Sequence, residues 1–350
     1  MADSLPRRID VHSHFLPPDY REALLENGHE RVDGMPAIPP WSPEAHLEMM
    51  EICNVSKSIL SISSPGTHIA SGKDELARRL TRRCNSYAAS LKARYPDKFG
   101  FWASLPLPDV DAALKEIDIT IDEGADGFGL MTNYHGNYLG APELDPVFEK
   151  LNEVGATVFI HPTKPCTKCD GAISAQPVDA LPFSDHYPIP MFEFFFDTAR
   201  AFVNLFLSGT VERCPRVKFI IPHAGGAMPP LFSRFTQFAH VIPGGRKLDV
   251  QDVHQQLATR FFFDLAGFQF DGEKGGQGQL KALAHGFDIS YDRFLYGSDF
   301  PFTPTRFVRA FADRMKDGLE HLFNVDEREA IYESNALKVL ETGTMGKSKT

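Results

Sequence analysis

The feature that most constrains this chain is a rhythm. Short β-branched or aromatic runs, each closed by a polar, Gly or Pro residue, alternate with stretches of helical spacing. The runs are "RIDVHSH" (8–14), "KSILSIS" (57–63), "FGFWASL" (99–105), "GFGLM" (127–131), "TVFIHP" (157–162), "KFIIPH" (218–223), "RFFFDLA" (260–266) and "RFLYGSD" (293–299). Between them "SPEAHLEMMEIC" with Ser42 as N-cap, "KDELARRLTRRCNSYAASLKARYP", "DVDAALKEIDITIDEG", "DPVFEKLNEVG", the Phe-rich 191–207 and "PPLFSRFTQFAHV" read as helices. Eight alternations predict an α/β fold of the (β/α)8 TIM-barrel type, with residues 1–350 as a single domain. A doubly wound open sheet is the alternative. No glycine-rich dinucleotide fingerprint follows the first run, and "DGEKGGQGQ" (271–279) reads as a loop. Residues 17–41 and 163–190 are too long and irregular for minimal connections; each follows the C-terminal end of a strand, so both are expected to roof an active site.

Charge and composition exclude several function classes. Lys and Arg number 36 against 46 acids, a net charge of -10 that repels nucleic-acid phosphates and anionic lipid surfaces. The start lacks the apolar core of a signal peptide, and the greasiest stretch, "MFEFFFDTARAFVNLFLSG", is broken by Glu193, Asp197 and Arg200. A cytoplasmic protein without nucleic-acid or membrane partners is expected. Five cysteines, an odd number in a long chain, argue for reduced thiols. Cys166 and Cys169 form one C-x-x-C in a loop after the fifth run; with no second such pair, a redox or structural-metal role is disfavoured.

The chemistry sits at the ends of the runs. Side chains two apart on a strand share a face, about 7 Å apart at Cα, so His12 and His14 converge. Neutral imidazoles placed this way suit a divalent metal. A histidine satisfied by a backbone carbonyl would explain either one alone. It does not explain why the fifth, sixth and eighth runs also end in His161, His223 and Asp299, at the place that faces a barrel mouth. Phe15, Phe300 and Phe302 lie beside these residues, and one or two of them are expected to hold a flat aromatic substrate. His68 and His186 lie within reach of the same mouth, with structural or solvated roles the plainer reading.

From "IDVHSHFLP" through "FIHPT", "FIIPHAGGAMP", "FFFDLAG" and "LYGSDFP" to "ESNALKVL", the chain resembles the amidohydrolase superfamily. Within it, the resemblance is to the branch of α-amino-β-carboxymuconate-ε-semialdehyde decarboxylase and the non-oxidative hydroxybenzoate decarboxylases. The resemblance implies an amidohydrolase-type barrel with His12, His14, His161 and Asp299 holding one divalent ion, Zn2+ first and Mn2+ or Mg2+ as alternatives. It also implies His223 as an unliganded acid/base. The fourth run offers no counterpart of the lysine that bridges two metals in other branches of the superfamily, so the resemblance implies a mononuclear site. Arg234, eleven positions after His223, is either a surface arginine on an amphipathic helix or, as the resemblance implies, an arginine lent to a neighbouring subunit's site in a homodimer or homotetramer. The arginine that holds a second substrate carboxylate in the muconate enzyme is missing from "GMPAIPPWSP". The substrate expected is therefore a small aromatic monocarboxylate, an ortho-hydroxybenzoate with 6-methylsalicylate preferred, bound by Arg234 and Phe302. γ-Resorcylate, the carboxymuconate semialdehyde, and hydrolysis of a lactone or amide are the alternatives. Asp299 or His223 would deliver the proton, and Asp264 would either orient His223 or act as a structural cap.

Overall fold

The computed structural model describes residues 5–167, 178–267 and 280–342. Cys169 and the 271–279 stretch lie outside the described residues. The eight strands are β1 Arg8–His14, β2 Val55–Ser61, β3 Phe99–Ser104, β4 Gly127–Met131, β5 Thr157–His161, β6 Lys218–Ile221, β7 Phe261–Asp264 and β8 Phe294–Leu295. They pair in parallel and in chain order from β1 to β8. The circle is closed just beyond β8: Val11 N–H donates to Tyr296 O at 3.0 Å and Asp299 N–H to His12 O at 2.9 Å. Beneath this seam the Asp10 carboxylate accepts from the Ser298 amide at 3.0 Å and its hydroxyl at 2.6 Å.

Parallel strands buried on both faces read as continuous apolar runs, and these do. Ile9, Val11, Ile59, Trp102, Phe159, Ile220, Phe262 and Leu295, drawn from seven strands, form one cluster with Ala336 and Val339. Side chains from opposite sides of a ring can meet only inside it, so this cluster fills the barrel. The other core, including Phe101, Phe128, Phe219 and Phe263, packs outward against the helices.

The helices used below are α1 Pro18–Glu26, α2 Pro43–Ile52, α3 Asp74–Arg94, α4 Val110–Asp122, α5 Asp145–Val154, α6 Glu193–Leu207, α7 Val250–Arg260 and α8 Thr305–Glu320. Ser42 caps α2 by accepting from Ala45 N–H at 3.1 Å. Gly155 ends α5 at φ 67°, a left-handed turn that favours glycine. Two features depart from the sequence reading. α1 forms inside the Pro/Gly-rich stretch 17–41, started by a proline at its first turn. The segment 229–241 breaks into short pieces, with one five-residue helix at Phe232–Thr236. Among the described residues no helix is long and apolar enough to cross a membrane.

Candidate metal centre

The strand ends deliver their side chains to one place. His12 and His14 come from β1, His161 ends β5, and Asp299 follows β8; one ligating atom from each lies within 4.8 Å of the others. The ring centroids of His12 and His14 are 5.0 Å apart, and those of His14 and His161 4.7 Å. Asp299 has φ 57°, a left-handed conformation uncommon for a residue with a Cβ and consistent with a backbone held for its side chain.

The donor chemistry fits a metal. Each imidazole has its Nδ1 on an acceptor: His12 on Asp264 Oδ2 at 3.0 Å, His14 on Ser61 O at 3.3 Å, and His161 on Pro162 O at 2.7 Å. The proton therefore sits on Nδ1 and the Nε2 lone pair is turned inward. Nε2 of His12 and of His14 is buried with no hydrogen-bond partner, approaching Asp299 Oδ1 only as charge neighbours at 3.7 and 3.2 Å. Two orphaned buried nitrogens beside a carboxylate are costly unless a cation takes them. Three nitrogens and one oxygen donor suit zinc or another borderline divalent ion.

The protein's own field prepares these groups. Burial lowers His14, and lowers His161 well below the usual imidazole value, in each case with neighbouring imidazoles adding to the effect. Burial also opposes charge on His12, but Asp264, together with Asp299 and Asp10, outweighs it and raises the pKa. For Asp299 burial works upward, while His14, 3.2 Å away, and the imidazoles around it hold it below the ordinary carboxylate value. The set thus favours neutral imidazoles at His14 and His161 and an ionised carboxylate at neutral pH.

His223 stands at the edge. It follows β6, has φ 54°, and its ring centroid lies 5.0 Å from His12 and 6.4 Å from His161, with Phe195 stacked on it at 5.6 Å. Burial, with His12 next, pushes it down to about 4. Asp264 does not bond its ring. Oδ1 of Asp264 accepts the His223 backbone N–H at 3.1 Å, and its ring partner is His12.

A cavity of about 490 Å3 opens onto this group, reaching His161, His223 and Asp299. Its walls are mainly apolar: Met35, Met191, Phe194, Phe195, Phe302 and Phe311. Phe302 stands edge-on to His14 at 5.5 Å, whereas Phe15 and Phe300 are core residues packed on Tyr87 and His46. Residues 33, 35 and 190, from the two irregular stretches, contribute to the cavity wall. Sequence reasoning missed Phe194 and Phe195, although the Phe-rich run that carries them was the visible signal. It also missed Asp33, which no pattern marks. A larger groove of about 670 Å3 lies between α6 and 136–141 but brings no such ligand group together.

Other sequence candidates fall elsewhere. Arg234 is exposed, its guanidinium 4.6 Å over the Phe238 ring, and does not line the cavity. His68 bonds His135 at 2.8 Å and Asp74 at 2.9 Å in a separate cluster, and His186 is exposed. Cys166 is buried against Asn133 with burial pushing its thiol up to about 11, an unreactive state.

Comparison with known proteins agrees with the geometry. The family model described as Amidohydrolase matches residues 9–342. Decarboxylase yanB of Aspergillus niger is 36% identical over 345 residues, covering 95% of this chain and 87% of that protein. The 6-methylsalicylic acid decarboxylase of Penicillium expansum is 35% identical over 314 residues, covering 87% and 88%. A solved structure described as an amidohydrolase II superposes with a TM-score of 0.79 at 32% identity, covering 95% of this chain and 99% of that one. With a barrel of this type, a ligand cluster at its mouth and decarboxylases as relatives, this chain belongs to the amidohydrolase family, on its decarboxylase side.

Proposed function

We propose that the protein carries out metal-dependent, non-oxidative decarboxylation of an ortho-hydroxybenzoate, with 6-methylsalicylate preferred and 3-methylphenol and carbon dioxide as products. One observation carries this reading: a cavity of about 490 Å3 with phenylalanine walls, with ample room for a substituted aromatic ring, opens onto three histidines and an aspartate. His12, His14, His161 and Asp299 would hold one divalent ion, zinc in the first instance. When bound, the ion supplies a Lewis acid for the carboxylate and the adjacent phenolic oxygen.

The chain's own residues do the rest. Phe194, Phe195 and Phe302 bind the flat ring by its faces and edges and keep water from it. Loss of carbon dioxide breaks the ring–carboxyl bond and leaves its electron pair on the ring carbon, which takes one proton. Asp299 or His223, both at the cavity wall, would deliver that proton, Asp299 after taking it from water or substrate. His223, neutral in its buried setting, would need to gain a proton from substrate or solvent before giving it up. The yanB and P. expansum relatives support the reaction class, and the one-carboxylate, one-methyl substrate matches a wall without cationic side chains among its described residues.

The test is a metal-loaded assay on a panel of salicylates and lactones. Carbon dioxide with stoichiometric 3-methylphenol from 6-methylsalicylate is expected. Acid release from lactones without carbon dioxide from any salicylate would replace this reading with a hydrolase.

A further inference from the structure

The roof carries a charge that the metal group does not use. Asp33 sits in a tight turn with φ 51° and ψ 28°, followed by Gly34, on which a Cβ would rest 3.6 Å from Pro188. The two irregular stretches therefore meet here. The turn brings Asp33 to the wall of the same cavity that holds His161, His223 and Asp299. Its carboxylate lies close enough to Ser64 for that hydroxyl to favour its ionised form, and Ser64 Oγ pairs with Thr163 Oγ1 at 2.9 Å. The left-handed turn at Asp33, a conformation that Asp adopts readily, sets the carboxylate at the cavity wall beside this buried hydroxyl pair.

The charges around it leave the carboxylate uncompensated inside the cavity. No lysine or arginine is among the described lining residues. The cation that acts on it, Lys164, is itself paired with Asp179 at 2.8 Å on a half-exposed side chain. Burial raises the Asp33 carboxyl to about 6, which leaves it mainly ionised at neutral pH. The cavity is then polar in one sense: a donor cluster for a cation at the strand ends, and a fixed anion in an otherwise apolar roof.

We infer that Asp33 is a specificity-determining residue: it rejects aromatic acids with a second carboxylate at the roof and accepts those whose roof edge is neutral or carries a hydroxyl donor. This rests on the salicylate reading for the ring scaffold. The physical content is like-charge repulsion across a water-poor cavity, set against a hydrogen bond that an ionised carboxylate accepts from a phenol.

The experiment measures calorimetric dissociation constants on the metal-loaded full chain. The probes are 2-hydroxyterephthalate and 4-hydroxyisophthalate against the hydroxylated partners 2,4- and 2,5-dihydroxybenzoate. Asp33→Asn keeps an acceptor for Ser64 and tolerates the left-handed turn, and Asp33→Gly suits that turn and removes the group altogether. The ratio of carboxylated to hydroxylated dissociation constants is expected to narrow by about tenfold in both variants, the size of one like-charge repulsion in such a setting. A ratio within twofold of the wild type in both variants overturns the inference. Carbon dioxide release is followed in parallel. A shifted ratio with no carbon dioxide from any salicylate keeps the role of Asp33 and removes the decarboxylase reading. Carbon dioxide with an unmoved ratio does the reverse, and binding of neither series removes both.

Discussion

A histidine becomes a ligand when one nitrogen is held and the other keeps its lone pair, and at His12 the holding group is Asp264. Its Oδ2 takes the ring N–H, while Oδ1 is occupied by the backbone amides of His223 and Ala266. Asp264→Asn keeps the shape but removes the charge that fixes the tautomer. Affinity for the divalent ion is expected to fall roughly 10–100-fold, read by competition with a coloured chelator, with the circular dichroism spectrum retained. Unchanged affinity would mean that the strand alone orients His12. The ligand residues were legible because they end apolar runs, where a polar side chain has no packing reason to be. The partner of Asp264 was not legible. A linear reading couples it to His223, whose sixth strand precedes its own, whereas ring closure brings His12, 252 positions away, against it. Asp33 was also hidden, since a turn residue gives no periodic signal and the turn that carries it lies against Pro188 of another stretch.

At the level of elements, burial on both faces made all eight strands visible, and their ends moved by a few residues where local chemistry intervened. β6 stops at Ile221 because Pro222 offers no amide to the ladder. α7 and α8 escaped notice because their many charged and polar residues dilute the apolar face; their cores are Val253 and Leu257, and Val308, Ala312 and Met315. The α2 helix shows what joins helix to barrel. His46 is fully buried between Phe99 and Phe300, with Trp41 Nε1–H donating to its Nδ1 at 3.1 Å. Burial, with His14 adding, lowers it to about 3. The unfolded chain binds a proton here below about 6.5 and the folded chain does not. The stability that neutral His46 allows is therefore full above that pH and is lost as pH falls toward 3, at up to about 1.4 kcal/mol per pH unit. Denaturant melts of metal-free protein from pH 6.5 to 4.5 should fall more steeply for wild type than for His46→Gln, which keeps an acceptor for Trp41. Parallel curves would refute the assignment.

For the whole molecule, exposed apolar side chains are unevenly spread. Leu231, Phe238, Val241 and Ile242 are all exposed within twelve residues that also carry Arg234. Such a patch commonly marks an association surface. Arg234 stacks on Phe238 at this patch, outside its own cavity, and is the residue to test for service to a neighbouring copy. In a two-fold dimer the contribution is mutual, so each site would be completed by the other chain. Two inactive variants then complement each other. Mixed after co-refolding, Arg234→Ala and His223→Ala chains give hybrids in about half of random dimers, and each hybrid has one site with its own His223 and its partner's arginine. About a quarter of wild-type carbon dioxide release is expected, with hybrid formation checked by tags of different mass. Activity no greater than the sum of the two parents, with hybrids present, would show that Arg234 serves no neighbouring site.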